Sequence, residues 1–369
     1  MTASFVIEQR AVTSTRERTK TLLASIAVGL LLGSLPILLS GANPFAAYRE
    51  TIEVSVGSAR AFQETLRATT PLILTGLAAA VAFRLRLYSI GAEGQLYIGA
   101  ITSCGLALLF GDGFSPWFLV PATVIAGAIG GALWSLIVAV PRAYFGTDEV
   151  VGTLMLNLIA LHIMNWLIFG SVSFWRDREN LGFPGGKPIP ESARFHQFWG
   201  RADIGILLAI GCALALAFVL RRTALGYEWH VIGSSERTAV YAGMSVRRQI
   251  ITVLAVSGAF AGIAGATQIA SVTYALEPRG IESGGLGFTG IVVAVVAGLN
   301  PRAIVLAAFV IAGITTSGPS LNSIGVSPSS VIVLQGLLLL SVAGGQFFNN
   351  FTLRRRRPAI DVAQTREAT

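Results

Sequence analysis

The sequence predicts an all-α fold, a polytopic bundle of membrane-spanning helices with both termini in the cytoplasm. Three observations predict it. Hydrophobic residues make up 53% of the 369-residue chain, and its mean hydropathy is +0.68. Charged residues make up only 12%, about half of the ~25% typical of soluble domains, which is too little polar surface to cover a water-exposed globule. Apolar stretches also recur along the whole chain. A spanning helix needs about 20 such residues, because lipid offers an open backbone no hydrogen-bond partner. The 41 glycines agree, since glycine is commoner in membrane helices than in soluble ones. A soluble enzyme, a nucleic-acid-binding domain and a disordered chain are thereby excluded.

Ten stretches qualify as spans, at 22–40, 69–83, 90–110, 117–140, 150–170, 204–220, 250–274, 286–299, 303–317 and 329–347. The first follows a basic arm, as a signal peptide would. Its length, and the want of a small-residue cleavage site before Asn43-Pro44, favour a retained anchor. The second, eighth and ninth are short, which predicts tilted, broken or partly re-entrant segments and a count of eight to ten. On this division residues 1–21 are a cytoplasmic arm, 22–348 the membrane domain and 349–369 a basic cytoplasmic tail.

Orientation follows from the flanks, where Lys and Arg collect on the inner side. With the N-terminus inside, two-thirds of the 27 Lys and Arg fall on inner segments. The net charge of +8 is therefore a topology signal. The arginine run at 354–357 is a stop-transfer flank beside anionic membrane lipid, not a nucleic-acid site. Two loops interrupt the alternation. The outer one, 171–203, mixes Trp175, Trp199, Pro184, Pro188 and Pro190 with charges and is expected to form a small external cap or amphipathic segment. The inner one, 221–249, is the longest cytoplasmic connection. It is rich in helix formers, which predicts a short cytoplasmic helix.

Reactive chemistry is sparse. Cys104 and Cys212 sit inside apolar runs as small packing residues, and His162, His196 and His230 have no metal-ligand spacing. The phosphate-binding motif of ATPases needs a Gly-rich loop ending in Lys-Ser or Lys-Thr. The two lysines, Lys20 and Lys187, do not fit it. Nor is there a nucleophile elbow or a zinc helix. Within the spans stand one acid near an edge, Glu93, and one histidine, His162. A charged group costs about 2.5–3.5 kcal/mol at the centre of a span, so Glu93 should lie near the cytoplasmic interface or have a partner. It is either a proton-coupling group or a hydrogen-bonded structural carboxylate where the second and third helices meet.

Four segments carry more information. The first runs from Thr70-Pro71 to Gly91-Ala92-Glu93-Gly94-Gln95, setting a carboxylate and an amide between glycines at a helix start, where amide dipoles favour negative charge. The second is Gly146-Thr147-Asp148-Glu149, leading to Asn157. Thr147 or Asp148 caps the fifth span, and Asn157 and Asn165 share roughly one helix face, where buried amides either bond a neighbouring helix or line a wet pathway. The third is the inner loop, with Gly226, Gly233, Glu236, Arg237, Ala239, Ala242 and Gly243, either a helix that docks on a partner or a solvated connector. The fourth is Gly284-Gly285-Leu286-Gly287, ending at Gly298-Leu299-Asn300-Pro301. Dense glycine before a short apolar run fits a half-span or close backbone packing, and Asn-Pro marks a turn.

In this order the four segments resemble the permease subunits of bacterial ABC importers of the branched-chain amino acid, ribose and nucleoside superfamily. The resemblance covers about residues 65–348 and is strongest to nucleoside-type and simple-sugar-type permeases. Two departures stand out: Ser89 where Asn often precedes Ile-Gly-Ala-Glu-Gly-Gln, and Trp229-His230-Val231-Ile232-Gly233 where the inner loop often carries Arg-Ala-x-Gly.

The resemblance implies a permease of the bacterial inner membrane that is not itself an enzyme and binds no cofactor. ATP is used by a cytoplasmic ABC ATPase partner. A second homologous permease chain, giving a heterodimer, and a periplasmic or lipid-anchored substrate-binding protein complete the importer. The expected substrate is a nucleoside, with a simple sugar such as ribose second. Glu93, Gln95, Asn157 and Asn165 are the expected pathway residues, and Gly233, Glu236, Arg237, Ala239 and Gly243 the expected coupling contacts. The competing readings are a stand-alone channel or gradient-driven carrier and, more remotely, a membrane-embedded enzyme.

Overall fold

The computed structural model describes residues 5–9, 15–179, 184–282 and 284–355. Within these, β1 (Phe5–Gln9) pairs antiparallel with β4 (Phe351–Arg355), and everything between is essentially helical. Of the expected tail, residues 356–369, Arg356 and Arg357 among them, lie outside the described residues. The first apolar stretch is α1 (Thr15–Leu39). After Gly41, at φ +81°, the chain turns by 110° into α2 (Pro44–Val56). Asn43 Oδ1 accepts from the Phe45 amide at 2.9 Å there, with Pro44 at the first helical position.

Next comes α3 (Ala59–Arg84), which corrects one expectation. Its 26 residues begin at an Ser58 cap, well before the expected start at 69. The added turns carry Arg60, Gln63, Glu64 and Arg67, which lowers their hydropathy but not their helicity. The following elements are α4 (Ala92–Phe110), α5 (Pro116–Phe145) and α6 (Glu149–Asn165), the last continuing through a π-helical turn, Trp166–Gly170. Among its described residues the outer loop holds a short pair, β2 (Gln197–Trp199) and β3 (Ala202–Asp203), and packs inward through buried Ile189, Ala193 and Phe195. Trp175 Nε1 ties it to Ile101 O at 3.0 Å.

After α7 (Ile204–Arg222), the inner loop contains α8 (Ala224–Ser234) and α9 (Glu236–Tyr241), two helices rather than one. Then follow α10 (Val246–Thr267) with a π-helical extension, Gln268–Thr273, and α11 (Pro278–Glu282), α12 (Leu286–Val296), α13 (Pro301–Thr316), α14 (Gly318–Ser323) and α15 (Pro328–Asn350). Among the described residues eight helical segments are long and apolar enough to cross a membrane, or nine if the bent α1–α2 pair is one span. The last expected stretch, 329–347, lies within α15, whose apolar run Ser329–Val342 is shorter than those eight.

The core gathers around α3, whose residues from Thr69 to Ala82 are all buried. Helices in lipid gain little from hydrophobic exclusion, so close backbone packing and interhelical hydrogen bonds hold them together. The α4–α5–α10 contact follows that rule. A Cβ on Gly262 would lie 2.0 Å from Gly127 O, and one on Gly265 2.1 Å from Leu96 O. Ser257 Oγ donates to Ala78 O at 2.8 Å, linking α10 to α3. Large apolar side chains such as Ile125, Leu133, Leu158 and Leu207 face outward, more than half exposed, as a lipid-facing surface requires. Cys104 and Cys212 are both free thiols.

Candidate functional site

The junction of α4, α6 and α12 is built from caps supplied by neighbours. On α6 the local cap is Asp148, whose Oδ1 accepts from the Val150 and Val151 amides at 2.8 and 3.1 Å. Starting from that cap, Glu149, Thr153 and Asn157 recur every four residues, so they form one buried stripe. The stripe faces the turn before α4. Glu149 Oε1 accepts from the Tyr88 amide at 3.1 Å, Thr153 Oγ1 from Ile90 N at 3.2 Å, and Asn157 Oδ1 from Gly94 N at 2.9 Å. Asn157 Nδ2 donates to Ile90 O at 2.8 Å. Helix α4 has no side-chain cap of its own, since Gly91 stands at that position. Its open amides are satisfied across the helix interface instead.

Glu93 does the same for α12. It is 2% exposed. Its Oε2 accepts from the Gly287 amide at 2.6 Å and the Phe288 amide at 3.3 Å, while its Oε1 accepts from Tyr97 Oη at 2.7 Å. The N-terminus of α12 also lacks a cap, with Gly285 there at φ +48°. A carboxylate at that end satisfies orphan amides and meets the positive pole of the helix dipole. The approach is tight: a Cβ on Gly287 would lie 2.3 Å from Glu93 N.

Of the expected pathway residues, Glu93 and Asn157 therefore meet at one junction, on opposite sides of the first turn of α4. Gln95 lies beside them, 2% exposed, with an Oε1 that has no hydrogen-bond partner. Asn165 is elsewhere. It sits about 12 Å further along α6, half-buried, and its Nδ2 donates to the Leu161 carbonyl of its own helix at 3.1 Å. Tyr97 and Thr153 complete the junction without having been expected. The four-residue recurrence of 149, 153 and 157 was the signal available for Thr153.

The second candidate region is the inner loop. Thr223 caps α8 and Ser235 caps α9. Buried Trp229 donates from Nε1 to Gln249 Oε1 at 2.9 Å, and Gln249 Nε2 in turn donates to Glu228 Oε2. Gly233 crosses the end of α3 so closely that a Cβ would lie 1.9 Å from Arg84 O. Ala239 is fully buried, and Gly243, at φ +77°, closes α9 with the Met244 amide donating to Ala239 O at 3.0 Å. Gly233 and Ala239 are thus anchors. Glu236 and Arg237 are exposed, together with Val240 and the 97% exposed Tyr241. Among the described residues no group of three or more His, Cys, Asp or Glu could hold a metal ion.

Known proteins are similar to this chain in sequence over most of its length. The family described as branched-chain amino acid transport system / permease component matches residues 61–343. The chain is 33% identical over 330 residues to the guanosine ABC transporter permease protein NupP of Bacillus subtilis (strain 168), covering 87% of this chain and 92% of the relative. It is 32% identical, over 87% of this chain and 89% of the relative, to the nucleoside ABC transporter permease protein NupB of Lactococcus lactis. The glucose ABC transporter permease protein TsgB13 of Haloferax volcanii is 28% identical, over 90% and 87% of the two chains. A multi-pass protein of the cell membrane, this chain belongs to the branched-chain amino acid transport system permease family.

Proposed function

We propose that this chain is one of two permease subunits of an ATP-driven importer, and that it moves a nucleoside by alternating access. The observation that carries the substrate is the 33% identity to a guanosine permease across nearly its whole length. The glucose permease at 28% keeps a simple sugar as the second reading. ATP is hydrolysed by a cytoplasmic ATPase partner, and a substrate-binding protein delivers the solute outside. The exposed face of α9, Glu236, Arg237, Val240 and Tyr241, is the ATPase contact, with Gly233 and Ala239 seating the loop on the bundle and Gly243 closing it. Switching needs contacts that differ between two states, which a docked rigid helix supplies. Glu93, Gln95 and Asn157 lie where α4 meets α6 and α12, a junction whose movement would open or shut a polar path, and Asn165 lies further along the same helix as Asn157.

The test is uptake of labelled guanosine by cells expressing this chain with its ATPase and binding protein. Excess unlabelled ribose and an ATPase-dead partner are the controls. ATPase-dependent uptake that ignores ribose is the expected result. Competition by ribose would move the substrate to sugars, and uptake indifferent to the dead ATPase would overturn the importer. Glu236→Ala combined with Gly243→Trp is expected to uncouple ATP hydrolysis from uptake with membrane insertion intact; normal uptake would remove the coupling assignment.

A further inference from the structure

A cavity of about 300 Å³ opens beside the inner loop, where the end of α3, the helix α8 and the α12–α13 turn meet. Arg84, Arg86, His230, Ser234, Gly298 and Leu299 line it, and no carboxylate does. Arg221, at the end of α7, adds a further repulsive charge to Arg84. The nearest acid on α8, Glu228, is bound by Gln249. Among the described residues Arg84, Arg86 and Arg221 form no ion pair. The positive charge gathered here is uncompensated among the described residues.

Two details point to a ligand. Arg84 is half-buried and donates from Nη2 to Leu299 O at 3.2 Å, yet its Nε is buried with no partner. A guanidinium carries five N–H donors and no acceptor, so its remaining donors and its charge favour an acceptor group, best an anionic one, in the cavity it lines. Arg86 occupies the left-handed position that closes α3, at φ +57°, with its own amide donating to Phe83 O and the Leu87 amide to Ala82 O. Glycine is the residue this backbone favours. Arginine there keeps a strained backbone and sets an exposed cation on the rim.

We infer that this cavity binds a phosphate group. Arg84 and Arg86 provide charge-assisted donors of the kind that hold phosphate, and the His230 imidazole faces them from α8. Basic pockets at the ends of membrane helices hold lipid headgroups in the same way, and a soluble phosphate offers the same chemistry. The bound anion bridges α3 and α8, joining the bundle to the loop.

The complex of permease chains and ATPase is purified into nanodiscs, and its thermal midpoint is followed. One arm titrates inorganic phosphate against chloride at matched ionic strength in phosphatidylcholine discs; the other replaces part of that lipid with phosphatidylglycerol. Three proteins are compared: wild type, Arg86→Lys, which keeps the charge, and Arg86→Gly, which removes it while favouring the same backbone. Wild type and Arg86→Lys are expected to be stabilised by one of the two anions, with the apparent affinity about tenfold weaker in Arg86→Gly. A response to phosphate identifies a soluble ligand, and a response to phosphatidylglycerol alone identifies a headgroup. An Arg86→Gly complex that responds like wild type overturns the inference. So does a wild-type complex that responds to neither anion, the result expected if a carboxylate of the ATPase fills the cavity.

Discussion

Replacing Glu93 by alanine removes the acceptor shared by the Gly287 amide, the Phe288 amide and Tyr97 Oη. At 2% exposure no bulk water reaches the site to replace it. Two of the three contacts are short, and each bond to a carboxylate contributes about 1.5–3 kcal/mol. Their loss is offset in part because a carboxylate is costly to bury, which leaves a net destabilisation of roughly 2–4 kcal/mol. Glutamine behaves differently. Its Oε1 still accepts from the α12 amides and its Nε2 can donate to Tyr97 Oη, so charge assistance and the acceptor for the Tyr97 hydroxyl proton are lost, about 1–2 kcal/mol. Thermal midpoints of the detergent-solubilised protein, with uptake measured in parallel, check both values. An alanine variant as stable as wild type would refute the capping role. A glutamine variant of normal stability that has lost ion-dependent uptake would instead make Glu93 a proton-coupling group.

Three further outcomes are expected. Gly262→Ala drives a methyl into Gly127 O, an overpacking cost of about 1–3 kcal/mol, visible as a lower midpoint and less monodisperse protein; unchanged behaviour would contradict the close α5–α10 contact. Gly233→Ala lifts α8 from the end of α3, where its Cβ would meet Arg84 O. Uptake should then fall more than ATP hydrolysis, and equal losses would argue against a coupling role for α8. Tyr241→Ala, at a 97% exposed side chain, should change stability by less than about 0.5 kcal/mol while weakening co-purification of the ATPase; undiminished co-purification would move the docking surface elsewhere.

Composition and the recurring long apolar runs determined that this is a membrane bundle of helices, because a continuous apolar run of about 20 residues satisfies its backbone in lipid as a helix. Local caps were nearly as legible. The choice lay between Thr147 and Asp148, and it is Asp148 that reaches amides two and three residues ahead, a distance at which residue type and position narrow the candidates to neighbours. Gly-rich sequence before a short apolar run left a half-span and close backbone packing both open; Gly287 and Gly290 lie tight against α4 and α3, and Pro278–Val296 is long enough to cross a membrane. The polar first turns of α3 and the bend into α2 escaped, since hydropathy reports what touches lipid and not what is helical. Above all, the sequence left Glu93 with two readings and Asn157 with two. Which donors reach a buried acceptor depends on residues far away in the chain: Gly94 and Asn157 are 63 positions apart, and Glu93 and Gly287 are 194. Only the packing of α4 against α6 and α12 brought them together. It left Asn165 outside because eight residues of helix carry it about 12 Å beyond the junction.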